Sequence, residues 1–547
     1  MKKHKLLIIL IPFLILCCSD KSEEEYSETR PNILLVVADD MGFTDLGSFG
    51  GEIETPNIDG LAENGLRFSN FHTSVSCSPT RSMLLSGTDN HIAGLGNMGE
   101  FLLPNQRGKP GYEGYLNERV MSIAEVFETE GYFTCMAGKW HLGEEPNHVP
   151  HARGFQRTFS LLYGGASHWK DMEGLIESQT PAKYSLNGEL LEKLPEDFYS
   201  SRSYADFIMK SIRENRDSEK PFFAFLSFTA PHDPLHVPEP WLSKYRGMYD
   251  DGYGVLKQQR IEGVKRKGLV PPDATAPSQH PMLRAWDSLS DNEKAIQSRM
   301  MEVYAGMVDC LDYNLGRVIN FLKDIGEYDN TMIIFMSDNG ANPWTTEDYP
   351  GNRGSEFVKN MDNSLDNIGQ IYSGVAYGMG WATACEGPFD YFKMTSGEGG
   401  IRVPLIIVGP TIKDGGKINN SFAYITDLMP TMLELAGIEH PGQYKGRKVE
   451  PMRGRSLASL LSGDVKSVYS SDEYIGGEMG GGKWMRQGDY KATMVAKPYG
   501  SDEWRLYNVL KDPGETRDLS KDMPDLLQEL INEWDNYAKD VGVVLPE

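Results

Sequence analysis

Several short apolar runs punctuate this chain, and each ends in polar residues of a chemically useful kind. "NILLVVADD" runs into Asp39 and Asp40, and "YFTCMAGKWH" into Lys139 and His141. "PFFAFLSFTAPH" runs into His232, and "TMIIFMSDNG" into Asp338 and Asn339. Runs that are apolar throughout and bounded by turn residues predict buried strands, and the amphipathic stretches between them predict helices. The alternation is that of an α/β fold. In open parallel sheets, ligands bind beyond the carboxyl ends of the strands. Four strands presenting carboxylates, a lysine and imidazoles at that end would converge on one site, which argues for an enzyme.

"TPNIDGLAENG" pairs a Thr55-Pro56 start with a Gly65 stop, which is good helix-cap chemistry. "VPLIIVG" predicts a strand, and "ITDLMPTMLELAG" a helix interrupted at Pro430. After about His440 the character shifts to short alternating pieces, "YKATMVA" and "WRLYNVL", and then to the amphipathic "DMPDLLQELINEWDNYAKDVG". These predict a small antiparallel sheet closed by a terminal helix. The Gly-rich "IGGEMGGGKW" at Ile475–Trp484 lacks the Ser or Thr that follows the lysine of a P-loop, and reads as a loop. Phe159–Asp206 and Ala341–Phe392 show weak periodicity and read as elaborated loops at the site mouth, where α/β enzymes set specificity. The domain reading is a signal segment at 1–18, a tether at 19–30, a catalytic domain at 31–440 and a C-terminal subdomain at 441–547.

The 547 residues, 40% hydrophobic and 24% charged, have ordinary globular composition and can bury a sizeable core. The formal charge of −24 argues against broad docking on nucleic acid, which needs clustered Lys and Arg. The one basic run, "VKRKG" at Val264–Gly268, is short and reads as a solvated face. A small anionic substrate stays compatible, since a pocket can be locally positive. The start "MKKHKLLIILIPFLILCCSDKSEEE" has a basic cluster and then an apolar run from Leu6 to Leu16, short for a membrane span and suited to a secretory signal. Cys17-Cys18 with an acidic tail resembles a bacterial lipoprotein signal, Cys18 being the preferred acylation site and Cys17 the other choice; an uncleaved anchor plus linker is the plainer reading. The expected location is outside the cytoplasm, as an outer-membrane or cell-surface lipoprotein or otherwise in the periplasm. The remaining cysteines, Cys77, Cys135, Cys310 and Cys385, form no CxxC pair, so neither a zinc ribbon nor a disulfide scaffold is indicated.

Asp39, Asp40, Asp338 and Asn339 offer only oxygen. Ca²⁺ and Mg²⁺ take oxygen, and Ca²⁺ accepts an irregular shell, whereas zinc prefers His or Cys. Either pair alone is an ordinary turn; together, behind two apolar strands, they predict a metal site. Lys139 and His141 are separated by one residue and so share a side of an extended segment. "APHDPLH" offers His232 and His236, but Pro231 and Pro234 disfavour the helix that i, i+4 zinc ligation requires, and a hydrogen-bonded loop histidine is the simpler reading. Lys393 precedes a Gly-Gly turn. In "SVSCSPTRSMLLSG", Pro79 suits the first helical turn with Ser78 as cap. Cys77 would then sit at a helix N-terminus, which favours an anion and lowers a thiol pKa. Arg81 stands ready to hold an oxyanion. A thiolate nucleophile is one reading, but it needs a paired base that the sequence does not supply.

Taken together these residues resemble the sulfatase family. Cys77-x-Pro79-x-Arg81 followed by "SMLLSG" is similar to its signature, and "PNILLVVADDMG", "GKWHLG", "APHDPL", "SDNG" and "EGGIRVP" match in the family's order. The likeness runs from Pro31 to the C-terminal helix and is strongest to bacterial arylsulfatases, through "NFHTSVSCSPTRSMLLSGTDNHIAG" and "KPGYEGYLNERV". It implies an alkaline-phosphatase-like fold: a large mixed, mostly parallel sheet flanked by helices, with a small C-terminal antiparallel sheet. It implies that a maturation enzyme converts Cys77 to Cα-formylglycine, and that Asp39, Asp40, Asp338, Asn339 and residue 77 bind Ca²⁺. The aldehyde hydrate attacks sulfur, Lys139, Lys393 and Arg81 neutralise charge, His232 with Lys393 protonates the leaving oxygen, and His141 takes the proton that lets sulfate depart by elimination. The expected substrate is a sulfated small molecule or glycan fragment. The alternatives are a glycan-specific sulfatase, a phosphodiester or phosphonate ester hydrolase of the same superfamily, in which His often stands where Asn339 is, and a catalytically dead binding protein, which would have lost at least one motif.

Overall fold

The computed structural model describes residues 30–413 and 415–547. The expected signal segment, both of its cysteines and the tether before Arg30 lie outside the described residues. Among those described, no helix is long and apolar enough to cross a membrane.

The apolar runs form the middle of a ten-stranded sheet. Its strands are β1 (Asn32–Ala38), β2 (Leu66–Phe68), β3 (Phe133–Lys139), β4 (Arg157–Leu161), β5 (Tyr184–Leu186), β6 (Glu189–Leu190), β7 (Phe222–Ser227), β8 (Thr331–Ser337), β9 (Leu405–Val408) and β10 (Ile418–Asn419). Their order is β10-β2-β9-β8-β1-β7-β3-β4-β5-β6. The four motif-bearing strands β8, β1, β7 and β3 are neighbours and parallel, with Ala38 opposite Ser337 and Ser227 opposite both Val37 and Gly138. Their carboxyl ends therefore open at one place. β9 runs antiparallel to β8, so the chain that enters β9 arrives at that same end.

Helices cover both faces, which is why these strands read as unbroken apolar runs rather than alternating ones. Leu34, Val36 and Ala38 face a core built with the long helix and its neighbours, while Ile33, Leu35 and Val37 face the other. Labelled along the chain, the helices that matter here are α1 (Pro56–Asn64), α2 (Cys77–Ser86), α3 (Ser200–Asn215), α4 (Asp291–Asp324), α5 (Leu428–Leu435) and α6 (Pro524–Val541). α1 starts at Thr55 and stops at Gly65, as its caps predict. α4 opens with a capping box between Ser290 and Glu293. Pro430 does not interrupt α5; it sits in the first turn, where its missing N–H has no helical partner to lose.

The C-terminal part is a four-stranded antiparallel meander, β11 (Tyr474–Met479), β12 (Gly482–Gln487), β13 (Tyr490–Met494) and β14 (Arg505–Asn508), with α6 packed on it through Leu530 and Trp534. Here "IGGEMGGGKW" is a hairpin and not a loop. Gly480 and Gly481 make the turn with positive φ, and Gly477 leaves room for the Trp484 ring, whose Nε1 would lie 2.6 Å from an added Cβ. Phe159–Asp206 likewise holds sheet, the β5–β6 edge hairpin and the start of α3, while Ala341–Phe392 is mostly turns with short helices. Cys77, Cys135, Cys310 and Cys385 are all buried and free.

A buried histidine ties the two parts together. His91 Nδ1 lies 2.9 Å from Asp89 Oδ1 and Nε2 lies 3.0 Å from Glu478 Oε2, while Tyr537 Oη donates to Asp89 Oδ2 at 2.7 Å. Burial opposes the imidazolium, but Asp89 and Glu478 outweigh it and raise the pKa to about 9. A raised folded-state pKa stabilises fully below the unfolded value near 6.5, and that stability is lost as pH rises through about 9. The stability gap between the wild type and His91→Gln, measured by urea unfolding, should shrink by about 3 kcal/mol across that window; a gap independent of pH would contradict the clamp.

Candidate active site

Three carboxylates and three cations meet beyond the ends of β1, β8 and β3. Lys139, the last residue of β3, places Nζ 2.8 and 2.7 Å from the two oxygens of Asp39. Lys393 Nζ lies 2.8 Å from both oxygens of Asp40. Arg81, one turn into α2, donates Nε to Asp338 Oδ2 at 2.9 Å, with Nη2 2.8 Å from the same oxygen. The pairs are cross-linked: Asp40 N donates to Asp338 Oδ1 at 3.2 Å and Asn339 Nδ2 to Asp40 Oδ1 at 2.7 Å. All seven residues are buried. Burial alone would raise the Asp39 carboxyl, but Lys139, His232, Arg81 and Lys393 hold it far below the usual range. Asp40 is also lowered against burial, chiefly by Lys393. Asp338 moves the other way, raised by burial and by Asp39 beyond what Arg81 offsets.

A glycine makes this approach possible. Gly138 has φ +114°, and a Cβ there would fall 1.7 Å from Ser227 O on the neighbouring strand. The close strands let Ser227 Oγ donate to Lys139 O at 2.7 Å and accept from Arg81 Nη1 at 2.5 Å.

Cys77 sits in the middle of the cage. Its Sγ lies 3.4 Å from Asp39 Oδ1 and 3.7 Å from Asp40 Oδ1. α2 begins at Cys77 itself with Ser76 at the N-cap, so Ser78 is not the cap; Pro79 falls within the first turn either way. The expected lowering of the thiol pKa is also overturned. Burial pushes it well up, and Asp338 and Asp39 add to this against Lys139 and Lys393. Burial outweighs both the helix N-terminus and the two lysines, so the structure gives a plain thiolate nucleophile no support.

Two histidines flank the cage. His141, at φ +57°, places Nε2 2.9 Å from Glu100 Oε1, and its Nδ1 is buried without a partner. Glu100 is held near pKa 2, with His141 outweighing the burial that opposes ionisation. A carboxylate only accepts, so Nε2 carries a proton; burial holds the ring's pKa below its usual value despite Glu100, and in the neutral ring Nδ1 is a bare lone pair. His232 Nδ1 donates to Asp233 O at 2.6 Å, and its Nε2 faces Asp40 Oδ2 at 3.4 Å. Both rings pack on the Gly164-Gly165 pair: an added Cβ would lie 2.8 Å from His141 Cε1 and 3.2 Å from His232 Cε1, respectively. His236 is structural, accepting from His168 N and meeting Ser373 O at 2.6 Å. At the mouth, Asn342 and Tyr349 hold the Asp233 carboxylate at 2.8 and 3.0 Å, and the half-buried Trp344 packs edge-on between Phe101 and Tyr349.

Asp39, Asp40, Cys77 and His232 bring possible ligand atoms within 4.8 Å of one another. That group contains His232, which the oxygen-only expectation did not, while Asp338 is engaged by Arg81. The Asn339 Oδ1 atom is buried with no partner. An unsatisfied buried oxygen beside three carboxylates is the donor chemistry of a hard divalent cation, so these residues fit one.

Glu100, Ser227, the Asp233 carbonyl and Gly164-Gly165 were not visible as site residues. Only the glycine pair carried a sequence signal, a bare backbone next to an apolar run. Glu100 lies 41 residues from His141 in an irregular stretch with none.

A family profile described as sulfatase matches residues 31–438, and one described as the C-terminal part of N-sulphoglucosamine sulphohydrolase matches residues 387–539. An uncharacterized sulfatase of Schizosaccharomyces pombe is 44% identical over 526 residues, covering 94% of each chain. An arylsulfatase of Klebsiella aerogenes is 40% identical over 443 residues, covering 80% of this chain and 94% of its own. The crystal structure of PsFucS1 sulfatase from Pseudoalteromonas sp. shares the fold, with a TM-score of 0.61 at 20% identity over 93% of this chain and 90% of that one.

Removing one partner of a buried ion pair strands the other charge. Lys139→Met should destabilise chelator-treated protein by about 3–5 kcal/mol, and pairing it with Asp39→Asn should recover most of that. Urea unfolding reads both; a single variant within about 1 kcal/mol of wild type would show that the cage is not held by charge matching.

Proposed function

The chain belongs to the sulfatase family and is a sulfuric ester hydrolase of arylsulfatase type, and on that premise we propose how its buried charges act. The observation that carries the proposal is the placement of Cys77 Sγ against Asp39 and Asp40, inside a cage that supplies one cation for each carboxylate. Asp39, Asp40, Asp338 and Asn339, with residue 77, would hold a divalent cation, and their oxygen donors favour Ca²⁺. When bound, that ion supplies Lewis acidity and positive charge, and residue 77, once converted to formylglycine, supplies a hydroxyl nucleophile.

The chain's own residues do the rest. Lys139, Lys393 and Arg81 provide the positive field that a sulfate monoester and its developing charge require. His232, fixed through Nδ1 on Asp233 O, presents Nε2 as the acid that protonates the leaving oxygen. His141, fixed through Nε2 on Glu100, presents Nδ1 as the base that accepts the proton freed as sulfate leaves. Phe101 and Trp344, packed edge to face at the mouth, give aromatic surface against which an aryl or pyranose leaving group can pack. The basic, apolar and cysteine-bearing start of the sequence supports export as a lipoprotein, with Cys18 the proposed acylation site.

Initial rates on matched nitrophenyl esters test the chemistry. Sulfate monoester turnover should exceed phosphodiester and phosphonate turnover; dominance of the phosphodiester would overturn the mechanism. A panel of sulfated mono- and disaccharides beside the aryl sulfate separates an aryl from a glycan preference. Chelation should remove activity and added Ca²⁺ restore it. Cys77→Ala should abolish turnover while keeping the fold. Glu100→Gln should lower kcat about 10- to 100-fold through His141, and an unchanged kcat would remove His141 from the base role.

A further inference from the structure

Behind Lys393 and Cys77 lies a second buried charge cluster that the mechanism does not use. Glu398 follows Lys393 by a short turn and is fully buried. Its carboxylate meets Lys491 Nζ at 2.7 Å, His72 Nε2 at 3.1 Å and Arg402 Nη1 at 3.3 Å. Its backbone N donates to Glu515 Oε2 at 2.7 Å. Lys491 Nζ also donates to Ser396 O at 3.1 Å and lies 2.9 Å from Glu515 Oε1. Thr493 Oγ1 donates to Ser396 O at 3.1 Å, and Ser396 Oγ to Met494 O at 3.0 Å. β13 and Glu515 thus grip the chain just after Lys393 at several points.

The same hub reaches the segment that carries residue 77. His72, Thr73 and Val75 lead into Cys77. Thr73 N donates to Ile401 O at 2.7 Å, and Met394 N to Val75 O at 2.8 Å. The two catalytic segments are laced to each other, and Glu398 joins both to Lys491 on the C-terminal sheet. Lys393 is a long flexible side chain whose Nζ must stand at a fixed place. A misplacement of about 1 Å can cost roughly 10²-fold in rate. A buried, fully bonded ion pair is a stiff way to prevent it.

We infer that Lys491 is a positioning residue of the sulfatase site: through Glu398 and Ser396 it fixes Lys393 relative to residue 77. It touches neither substrate nor reacting atoms. The inference rests on the role given to Lys393 above.

A double-mutant cycle tests it. Lys491→Met, Lys393→Gln and the double variant, each shown folded by circular dichroism, are assayed for kcat on nitrophenyl sulfate. Lys491→Met should lower kcat about 10- to 100-fold. Lys393→Gln should then cost far less in the Lys491→Met background than alone, because the lysine it removes is already out of place. Effects that multiply independently, or a folded Lys491→Met with wild-type kcat, would overturn the inference while leaving the mechanism intact. A fully active Lys393→Gln would overturn both. If Lys491→Met does not fold, Thr493→Val removes the hydroxyl's grip on Ser396, along with a longer bond to Lys483 O within the sheet, and runs through the same cycle, with a several-fold loss and coupling to Lys393 expected; independence there overturns the inference equally.

Discussion

Three carboxylates taken out of water at neighbouring strand ends must each be neutralised, and that requirement organises this protein. Leaving any one of them charged and alone would cost several kcal/mol. The neutralising groups come from three separate places: Lys139 from β3, Arg81 from α2, and Lys393 from the loop that feeds β9. The cage therefore forms only when β3, β1 and β8 lie in their observed order, with α2 docked over their ends. Under the proposed mechanism the same cations that make burial tolerable also neutralise the charge of a sulfate monoester. A site of this kind holds the fold together in one state and serves the reaction in another.

The strand-end residues were legible because their signal is local. Asp39, Asp40, Lys139, His232, Asp338 and Asn339 directly follow or end apolar runs, and parallel neighbours bring such ends together. The spacing that marks a strand also marks where its polar end emerges. What the sequence could not carry is the partner of each group. Arg81 meets Asp338 across 257 residues, and His91 meets Glu478 across 387. No periodicity encodes such pairings: Lys491 looks like any surface charge until the fold buries it, and Glu100 until the fold sets it against His141. The start of α2 was misplaced because Ser76 and Ser78 are equally good caps and Pro79 is tolerated within the first turn from either. The "IGGEMGGGKW" stretch was misread because glycine has two uses: it turns the chain at Gly480-Gly481, and it makes room under Trp484 at Gly477.

The C-terminal sheet is more than a lid on the core. His91 and Tyr537 fasten it to the loop after α2, and Lys491 reaches the segment behind Lys393. Both links are buried and charged, so they act as rigid struts and not as loose packing. A catalytic domain without this sheet would keep its motifs but lose the contacts that Lys491 and Thr493 make to Ser396 and Glu398 behind Lys393.

The account turns on residue 77. Burial, with Asp338 and Asp39 adding to it, pushes its thiol pKa well up against Lys139 and Lys393, which disfavours a thiolate, and the proposed mechanism puts an aldehyde there instead. Mass spectrometry of the peptide containing residue 77, from enzyme of known specific activity, decides this most directly. The account predicts the mass of an aldehyde in place of the thiol, in a fraction that tracks activity across preparations. An unmodified cysteine in fully active enzyme would contradict it.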